Sequence, residues 1–461
     1  MTFGLFMIML DNTVVNVALP SIQRDFEIGV SELEWIVNAY ALTFAVLMLT
    51  GGKLADLFGR RLIFVVGLAI FTLSSLACGL ATSSEALIGA RTVQGVGAAL
   101  MNPATLSIIS ATFPPRQRGL AIGIWAGVSA MALAIGPLVG GLLTQHIDWS
   151  WIFFINIPVG LLAIAASYAF IRESRDTAEE QRLDLPGLLS SGLALFALTF
   201  ALIEGASYGW SSGRILGLFA AAALGLVAFV WLELRQRVPM LDLSLFRNPT
   251  FAGANAVALL VFLAMFGVFF FVSLYLQNIL GYSAVQAGAT FLPMTLLIML
   301  VAPVAGKLAD RFGSRWLVAA GMTLVSLSLA LFSRLGLDST FWTAFPGLVA
   351  GGLGMALTMT PVMTAGLGAV PVDKAGVGSG VLNSFRQVGG ALGIAVIGAI
   401  MVSRVEDALA AGASPPEAFV EGFSTALLVA AGIAFLGAVV AVVTIRAPRR
   451  ADAPLPAEAA A

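Results

Sequence analysis

The sequence predicts an all-α integral membrane protein with 14 transmembrane helices, in which two six-helix bundles flank two inserted helices. Three observations support this class. Of the 461 residues, 59% are hydrophobic and only 11% are charged, which is too apolar for a soluble core. The stretch GKLADLFGRR, Gly52 to Arg61, recurs as GKLADRFGSR, Gly306 to Arg315, with eight identical positions. The basic residues segregate to one side of the predicted helices.

Fourteen apolar runs are long enough to cross a bilayer, which takes about 20 residues per helix. They lie at 2–20, 35–52, 62–81, 86–110, 118–143, 151–171, 185–205, 213–233, 250–275, 284–306, 316–334, 341–366, 376–402 and 421–445. The first run has no basic residue before Arg24 and no small-residue cleavage site. We therefore expect a retained helix and not a signal peptide.

The distribution of basic residues tests this helix count, because one missed helix would move every later residue to the wrong side. Eighteen of the 24 Lys and Arg residues fall on one side and four on the other, while Arg91 and Arg386 fall inside helices. Both termini are therefore predicted to be cytoplasmic.

The two copies of the basic loop are eight helices apart, although six-helix repeats would place them six apart. Two helices are therefore inserted, which gives a 6+2+6 arrangement. The predicted domains are an N-terminal bundle at 1–171, linkers with the inserted helices at 172–249, a C-terminal bundle at 250–445, and a disordered Pro- and Ala-rich tail at 446–461.

Several stretches carry a family resemblance in the expected helices and in the expected order. Beside the repeated loop, these are LDNTVVNVALP at 10–20, RTVQGVGAA at 91–99, GVSAMALAIGPLVGG at 127–141 and WSWIFFINIPVG at 149–160. Together they resemble the major facilitator superfamily, in particular its fourteen-helix drug:proton antiporter branch. The resemblance implies multidrug efflux and antibiotic resistance: export of hydrophobic or amphipathic compounds across the inner (cytoplasmic) membrane by alternating access, in exchange for protons.

An ion gradient is the expected energy source, because the chain has no GxxxxGK[ST] loop for ATP. No cofactor, metal site or enzymatic activity is predicted: there is one histidine, one cysteine, and no nucleophile and base that can be paired. The expected partners are a small apolar substrate, protons and the lipid bilayer, but not nucleic acid. The chain is predicted to be a monomer, with a periplasmic adaptor as an open alternative.

Asp11 and Arg91 are the predicted proton-coupling residues. Asp11 lies about 13 Å inside the first helix, at 1.5 Å per residue, and an isolated ionised carboxylate is costly at that depth. We expect Asp11 to bind and release a proton as its exposure changes. The alternative is a permanently protonated, hydrogen-bonded Asp. Arg91 lies in the segment that resembles the proton-coupling motif; alternatively, it extends along the helix to the outer surface.

The predicted substrate cavity combines polar and aromatic residues from several helices. Its polar members share helix faces, such as Asn383, Arg386 and Gln387, but structural interhelical hydrogen bonds are an equal alternative. Arg386 needs a partner, with Asp11 or the substrate as candidates. Glu204 is interpreted as an interfacial carboxylate. The full cavity set is Asn12, Asn16, Tyr40, Gln94, Trp125, Phe266, Phe270, Asn383, Arg386 and Gln387.

The family resemblance implies that the repeated loop is a conformational gate, and the alternative is a plain basic turn that only sets the topology. In this loop Gly permits a tight turn, and Asp can bind a helix N-terminus or an arginine. Residues 376–380 are the expected receiver of Asp56. The predicted gate consists of Gly52, Asp56, Gly59, Arg60, Arg61, Gly306, Asp310 and Gly313. In the fifth helix, small residues and a proline predict a close, bendable packing surface made of Gly127, Gly136, Pro137, Gly140 and Gly141.

Two other functions remain open from the sequence. The first is a transporter of the same fold that exports one endogenous metabolite, such as an antibiotic, siderophore or lipid. It is favoured by the scarcity of deep carboxylates and by Arg386, which leave neutral or anionic substrates open. The second is a membrane sensor or assembly partner without transport, against which the intact Asp11, Arg91 and loop motifs argue.

Overall fold

The fold is taken from a computed structural model that describes residues 1–112, 115–175, 184–236, 239, 241–370 and 375–446. Some side chains within these helices lie outside the description, namely those at 106, 110, 111, 115–126, 130, 133, 134, 310, 375 and 376. Every regular element among the described residues is a helix, and no strand occurs there. The predicted all-α class is confirmed.

The first part of the chain forms seven helices. They are α1 (Thr2–Phe26), α2 (Val30–Phe58), α3 (Arg60–Gly79), α4 (Ser84–Thr112), α5 (Pro115–His146), α6 (Trp151–Phe154) and α7 (Asn156–Phe170). Three more helices follow, α8 (Leu185–Ile203), α9 (Gly205–Tyr208) and α10 (Gly213–Arg235). We call α8 to α10 the inserted helices.

The last part of the chain begins with a 3-10 turn at Leu243–Arg247 and then α11 (Pro249–Leu274), which continues as a π-helical turn, Tyr275–Ile279. It continues with α12 (Ala284–Thr290), α13 (Leu292–Phe312), α14 (Ser314–Phe332), α15 (Phe341–Gly368), α16 (Ala375–Ala410) and α17 (Pro415–Thr444). Side-chain caps fix several starts, because Asn248, Ser283 and Ser414 each precede a helix and accept or exchange hydrogen bonds there.

The helix packing pattern of residues 1–170 recurs in residues 249–444. In the first part α1 packs on α5, α4 on both α2 and α3, and α3 on α7. The corresponding pairs later in the chain are α11 with α16, α15 with both α13 and α14, and α14 with α17. The loop repeat therefore extends to tertiary packing. The two parts are called the N-terminal and C-terminal halves below.

Both copies of the repeated loop also share backbone geometry. Gly59 and Gly313 end α2 and α13 with φ of 120° and 82°, and their N–H groups donate to the carbonyls of Ala55 and Ala309. Only glycine adopts such positive φ without strain. The repeat thus has a glycine at the same position in each half, and this glycine ends the helix in a sharp turn.

Twelve helical stretches among the described residues are long and apolar enough to cross a membrane. Helices α4 and α5 span 29 and 32 residues but contain positions that are not described, so the count of fourteen remains a prediction. One predicted boundary was wrong in a way that matters below. The second apolar run was expected to begin at residue 35, but α2 begins at Val30, which places Glu34 inside the helix.

The two halves meet along α1, α2 and α5 of the first and α11, α12, α13 and α16 of the second. We call the helix ends opposite the basic loops the outer ends. Three hydrogen bonds between the halves lie near the outer ends: Gln277 Nε2 to the Val17 carbonyl (2.9 Å), Asn278 Nδ2 to Gln23 Oε1 (3.3 Å), and the Val285 N–H to Gln145 Oε1 (3.1 Å). The outer side of this interface is therefore closed.

Glycines allow α5 to contact helices of both halves. A Cβ at Gly140 would lie 2.8 Å from the Val14 carbonyl oxygen of α1, and one at Gly136 would overlap Thr13. A Cβ at Gly141 would lie 2.5 Å from the Ala284 carbonyl oxygen of α12. The helix thus uses neighbouring small residues to pack on its own half and on the other half at once.

The contact between α5 and α12 can be tested at Gly288, where an added Cβ would overlap the carbonyl oxygen of Pro137 in the buried interface. We expect Gly288→Ala to lower the thermal unfolding midpoint in detergent by several degrees, because two backbones must move apart. Gly127→Ala is the matched control, since a Cβ there meets none of the described atoms within 4 Å. Equal midpoints for the two variants would contradict the close contact.

Candidate functional site

The buried centre of the N-terminal half is an ion pair between Asp11 of α1 and Arg91 of α4. Arg91 Nη1 lies 2.5 Å from Asp11 Oδ2, and the two side chains are 1% and 0% exposed. Asp11 is nine residues from the start of α1, about 13 Å along the helix. A carboxylate and a guanidinium at this depth stabilise each other, since each alone would be an uncompensated buried charge.

A hydrogen-bond network surrounds this ion pair and satisfies its remaining groups. Gln94 accepts a hydrogen bond from Arg91 Nη1 (2.6 Å) and donates from Nε2 to Asp11 Oδ1 (3.1 Å) and to Ser75 Oγ (2.7 Å). Asn156 Nδ2 of α7 donates to the same Ser75 hydroxyl at 3.2 Å. We call Asp11, Arg91, Gln94, Ser75 and Asn156 the buried polar network; it links α1, α3, α4 and α7.

Arg91 also binds α2. Its Nε donates to the Ile36 carbonyl at 3.2 Å, and its guanidinium carbon lies 4.2 Å from the centre of the Tyr40 ring and 5.8 Å from that of Phe153. The aromatic faces contribute cation–π attraction to a desolvated cation. Tyr40, predicted for the substrate cavity, is 1% exposed and packs on this network. Gln94, predicted for the same cavity, is a member of the network.

Asp11 is not the isolated carboxylate that the sequence alone suggested, because each of its oxygens accepts one hydrogen bond from the network. Without the charge of Asp11, the buried cation of Arg91 would have no counterion. The packing of α1 against α4 and α2 therefore depends electrostatically on this carboxylate.

A second polar cluster lies in the C-terminal half around Arg386 of α16. Arg386 Nη1 donates to Asn383 Oδ1 at 3.1 Å, and its guanidinium carbon lies 4.7 Å from the centre of the Phe262 ring. Among the described residues no carboxylate lies within 4.0 Å of Arg386, and its Nε has no hydrogen-bond partner. The predicted alternative of Asp11 as its partner is therefore not what the structure shows.

The other predicted cavity residues are distributed around this cluster and α1. Phe266 is half-buried, 5.3 Å from Phe262 between ring centres, whereas Phe270 is fully buried against Phe271. Asn16 Nδ2 donates to the Asn12 carbonyl at 3.0 Å, which is a hydrogen bond within one helix. Gln387 is half-buried. The side chain of Trp125 lies outside the described residues.

A cavity of about 290 Å³ lies elsewhere, between α2, α4 and the inserted helix α8. Its walls are apolar and aromatic, and they include Trp35, Phe196 and Phe200. None of the residues predicted for the substrate cavity lines it. Trp35 Nε1 donates to Glu204 Oε1 at 3.0 Å, so the inserted helices are tied to α2 at the outer end.

The first copy of the repeated loop is tied to the chain that follows α7. Glu173 accepts hydrogen bonds from the Arg61 and Leu62 N–H groups (3.0 and 3.1 Å), and so caps the N-terminus of α3 with a negative charge. Asp56 forms an ion pair with Arg60 at 3.0 Å. The predicted receiver of Asp56, residues 376–380, directly follows a stretch that includes residues 371–374, which lie outside the described part of the chain. The side chain of Asp310 lies outside it as well.

The remaining gate residues pack closely around α2 and α13. A Cβ at Gly52 would lie 3.4 Å from the ring of Pro103 in α4, and one at Gly306 would lie 3.1 Å from Thr360 of α15. Gly52 and Gly306 therefore occupy corresponding positions in the two halves. Gly52 faces α4, which packs on α2 and α3, and Gly306 faces α15, which packs on α13 and α14. The first loop is fixed within the N-terminal half by these contacts and by Glu173.

Three buried polar residues escaped the sequence analysis. Ser75 and Asn156 complete the network but sit singly in apolar runs, where a serine or asparagine is common and carries little signal. Asn156 did lie in a stretch that resembles the family, WSWIFFINIPVG, and that was the available clue. Glu34 was assigned to a loop because the charged residues before Trp35 ended the apolar run.

Comparison with known proteins gives a consistent result. The profile of the Major Facilitator Superfamily matches residues 1–394. The tetracenomycin C resistance and export protein of Streptomyces glaucescens is 36% identical, covering 98% of this chain and 91% of that protein. The multidrug resistance protein Stp of Mycobacterium tuberculosis is 39% identical over 87% of this chain and 74% of its own length. The puromycin resistance protein of Streptomyces alboniger is 38% identical over 95% and 89%.

Two solved structures share the fold. An inward-facing, unoccupied bacterial homologue of the human lysosomal transporter Spinster superimposes with a TM-score of 0.67 at 19% identity, covering 97% of both chains. An autoinhibited peptide transporter of the POT family gives 0.68 at 16% identity, covering 99% of this chain and 98% of that one. At these identities the likeness concerns the fold alone.

The coupling inside the buried ion pair can be measured with a double-mutant cycle. We expect Asp11→Asn and Arg91→Met each to cost about 3–5 kcal/mol, because either one leaves a buried charge without its partner. The double variant should lose much less than the sum of the two. The measurement is the unfolding midpoint of the purified variants in detergent.

The exposed pair Arg404 and Asp407 is the matched control for this cycle. Its charged atoms are 3.7 Å apart and its side chains are 55% and 69% exposed, so the corresponding changes should cost no more than about 1 kcal/mol. Strictly additive losses at Asp11 and Arg91 would contradict the pairing.

Proposed function

Because the chain belongs to the Major Facilitator Superfamily, we propose that it is a proton-coupled antiporter that exports hydrophobic or amphipathic drugs and antibiotics from the cell. It is a multi-pass membrane protein whose relatives include drug and antibiotic resistance and export transporters. We place it in the cytoplasmic membrane with both termini inside. Export is by alternating access, and the chain works as a monomer.

The observation that carries the proton coupling is the ion pair between Asp11 and Arg91. Neutralising the Asp11 carboxylate would change the forces between α1, α2 and α4. In the proposed cycle, Asp11 holds Arg91 when ionised and releases it when protonated, so that the two protonation states favour different helix arrangements. One proton moving down 100 mV contributes about 2.3 kcal/mol to each cycle.

The proposed architecture is fourteen helices in a 6+2+6 arrangement, with α4 and α5 among the membrane spans. The repeated loop geometry and the recurring helix pairs support two six-helix halves. In this arrangement the interface between the halves opens alternately to either side. Its outer side is closed here by the contacts of α5 with α12 and of α2 with α16.

Export of one metabolite, without a multidrug role, is the second candidate. The observation that favours it is Arg386, a cation over Phe262 with no carboxylate near it among the described residues. A half-buried unpaired cation attracts acceptor groups and opposes cationic dyes. Tetracenomycin C and puromycin appear singly in the names of two relatives, which agrees with a narrow substrate range.

Transport in vesicles tests both candidates. We expect purified protein in liposomes with an imposed pH gradient to move an amphipathic dye and to move protons in the opposite direction. Asp11→Asn should reduce both rates at least tenfold, because the carboxylate can no longer exchange a proton. Asp338→Asn, at an exposed carboxylate in a loop, should leave both rates unchanged.

The outcomes separate the candidates. Dye transport that survives Asp11→Asn would sink the assigned role of this carboxylate. If the wild type moves no dye but releases protons from the vesicles as an uncharged or anionic antibiotic enters, the single-metabolite candidate is correct. If no compound is moved and no proton follows, the antiporter proposal fails.

A further inference from the structure

Glu34 is a further buried carboxylate, and it lies outside the buried polar network. It is the fifth residue of α2, about 6 Å from the outer end of the helix, and is 1% exposed. Its Oε1 has no hydrogen-bond partner, and no arginine or lysine nitrogen of the described residues lies within 4.0 Å. Asn38, one turn further along, is also fully buried, and neither of its amide atoms has a hydrogen-bond partner in the described part of the chain.

The carboxylate of Glu34 lies against the other half of the molecule. The nearest atom to a Cβ built at Gly398 of α16 is Glu34 Oε1, and the two would overlap. Because Gly398 has no side chain, it leaves room for the carboxylate of Glu34. Since α2 and α16 belong to different halves, Glu34 sits in the interface that must open during alternating access.

The charged groups around Glu34 do not compensate an ionised form. Glu204, on the inserted helices, interacts with it electrostatically and is also acidic. Arg91 of α4 is occupied by Asp11 and the Ile36 carbonyl. The charged residues at the outer ends of α1, α2, α4 and α16 are exposed, namely Arg24, Asp25, Glu27, Glu32, Glu85, Arg404, Glu406 and Asp407. Arg214 of α10 is also exposed, and its guanidinium stacks on the rings of Phe200 and Tyr208. The charged residues of α3 are at its opposite end, Arg60 and Arg61.

From this placement we propose that Glu34 is a proton-binding site separate from Asp11, and that its proton holds the outer ends of α2 and α16 together. An unpaired carboxylate is tolerated in a dry interface only in its neutral form. When the outer ends separate, water reaches the group and it ionises. The ionised form then opposes closure until a proton from outside binds.

Glu204 gives the inserted helices a part in this site. It accepts the Trp35 N–H at 3.0 Å, and α8 and α9 also pack on α16. A negative charge held next to Glu34 raises the cost of ionising it, because two neighbouring carboxylates repel each other. The direction of opening rests on the proposed alternating access, whereas proton binding by Glu34 does not.

The distance between the outer ends can be measured by electron–electron resonance with spin labels at Ser31→Cys on α2 and Ser403→Cys on α16, in a Cys78→Ser background. The purified protein is examined from pH 5 to pH 9 without substrate. For one linked proton the ratio of separated to closed molecules changes by up to tenfold per pH unit. We expect the wild-type ratio to rise with pH in this way.

Glu34→Gln keeps the shape and cannot ionise, so it should stay closed, with less than about a twofold change in the ratio over the whole range. Glu32→Gln, at an exposed carboxylate two residues away, should keep the wild-type profile. Gly398→Ala should favour the separated form even at pH 5, because the added methyl group takes the place of the carboxylate.

A wild-type profile in Glu34→Gln would overturn the proposal, as would a closed Gly398→Ala or a wild type that does not respond to pH. The readout requires no transport. A lost pH response with intact vesicle transport would therefore refute this inference alone, while failed transport with an intact response would refute only the antiporter function.

Discussion

The N-terminal half is organised around one buried ion pair. Asp11 and Arg91 are tolerated in the apolar interior only because each neutralises the other and the network supplies their remaining hydrogen bonds. Four helices contribute side chains to that network, and a fifth, α2, contributes a backbone carbonyl. A change of charge at Asp11 would therefore alter contacts of nearly every helix of the half, which is why the proposed antiport cycle places the proton on this residue.

The C-terminal half uses the same packing for a different chemistry. Its helix pairs correspond to those of the N-terminal half, and its loop glycine, Gly313, corresponds to Gly59. Yet its deep cation, Arg386, rests on an aromatic ring and an amide oxygen without a carboxylate among the described residues. One half thus holds a self-contained ion pair, and the other presents a cation with spare hydrogen-bonding capacity. This division suits a transporter that handles the proton and the substrate in separate places.

The sequence predicted what depends on local pattern. Apolar runs located the helices, and the repeated loop located the corresponding turns, because Gly59 and Gly313 end α2 and α13 through their own backbone conformation. It did not predict which polar groups meet, since Asp11 and Arg91 are 80 residues apart and their contact depends on how α1 packs on α4. Glu34 was missed for a related reason: a charged residue near the start of an apolar helix looks like part of a loop until its burial against α16 is seen.

The single thiol of the chain lies beside the ion pair. Cys78 is fully buried, and its Sγ is 3.8 Å from Gln94 Oε1. Because a buried thiol reacts only in molecules that have opened, its rate of alkylation equals the fraction of open molecules multiplied by the reactivity of a free cysteine. The wild-type protein thus carries its own kinetic probe of the buried polar network, and this probe needs no engineered label.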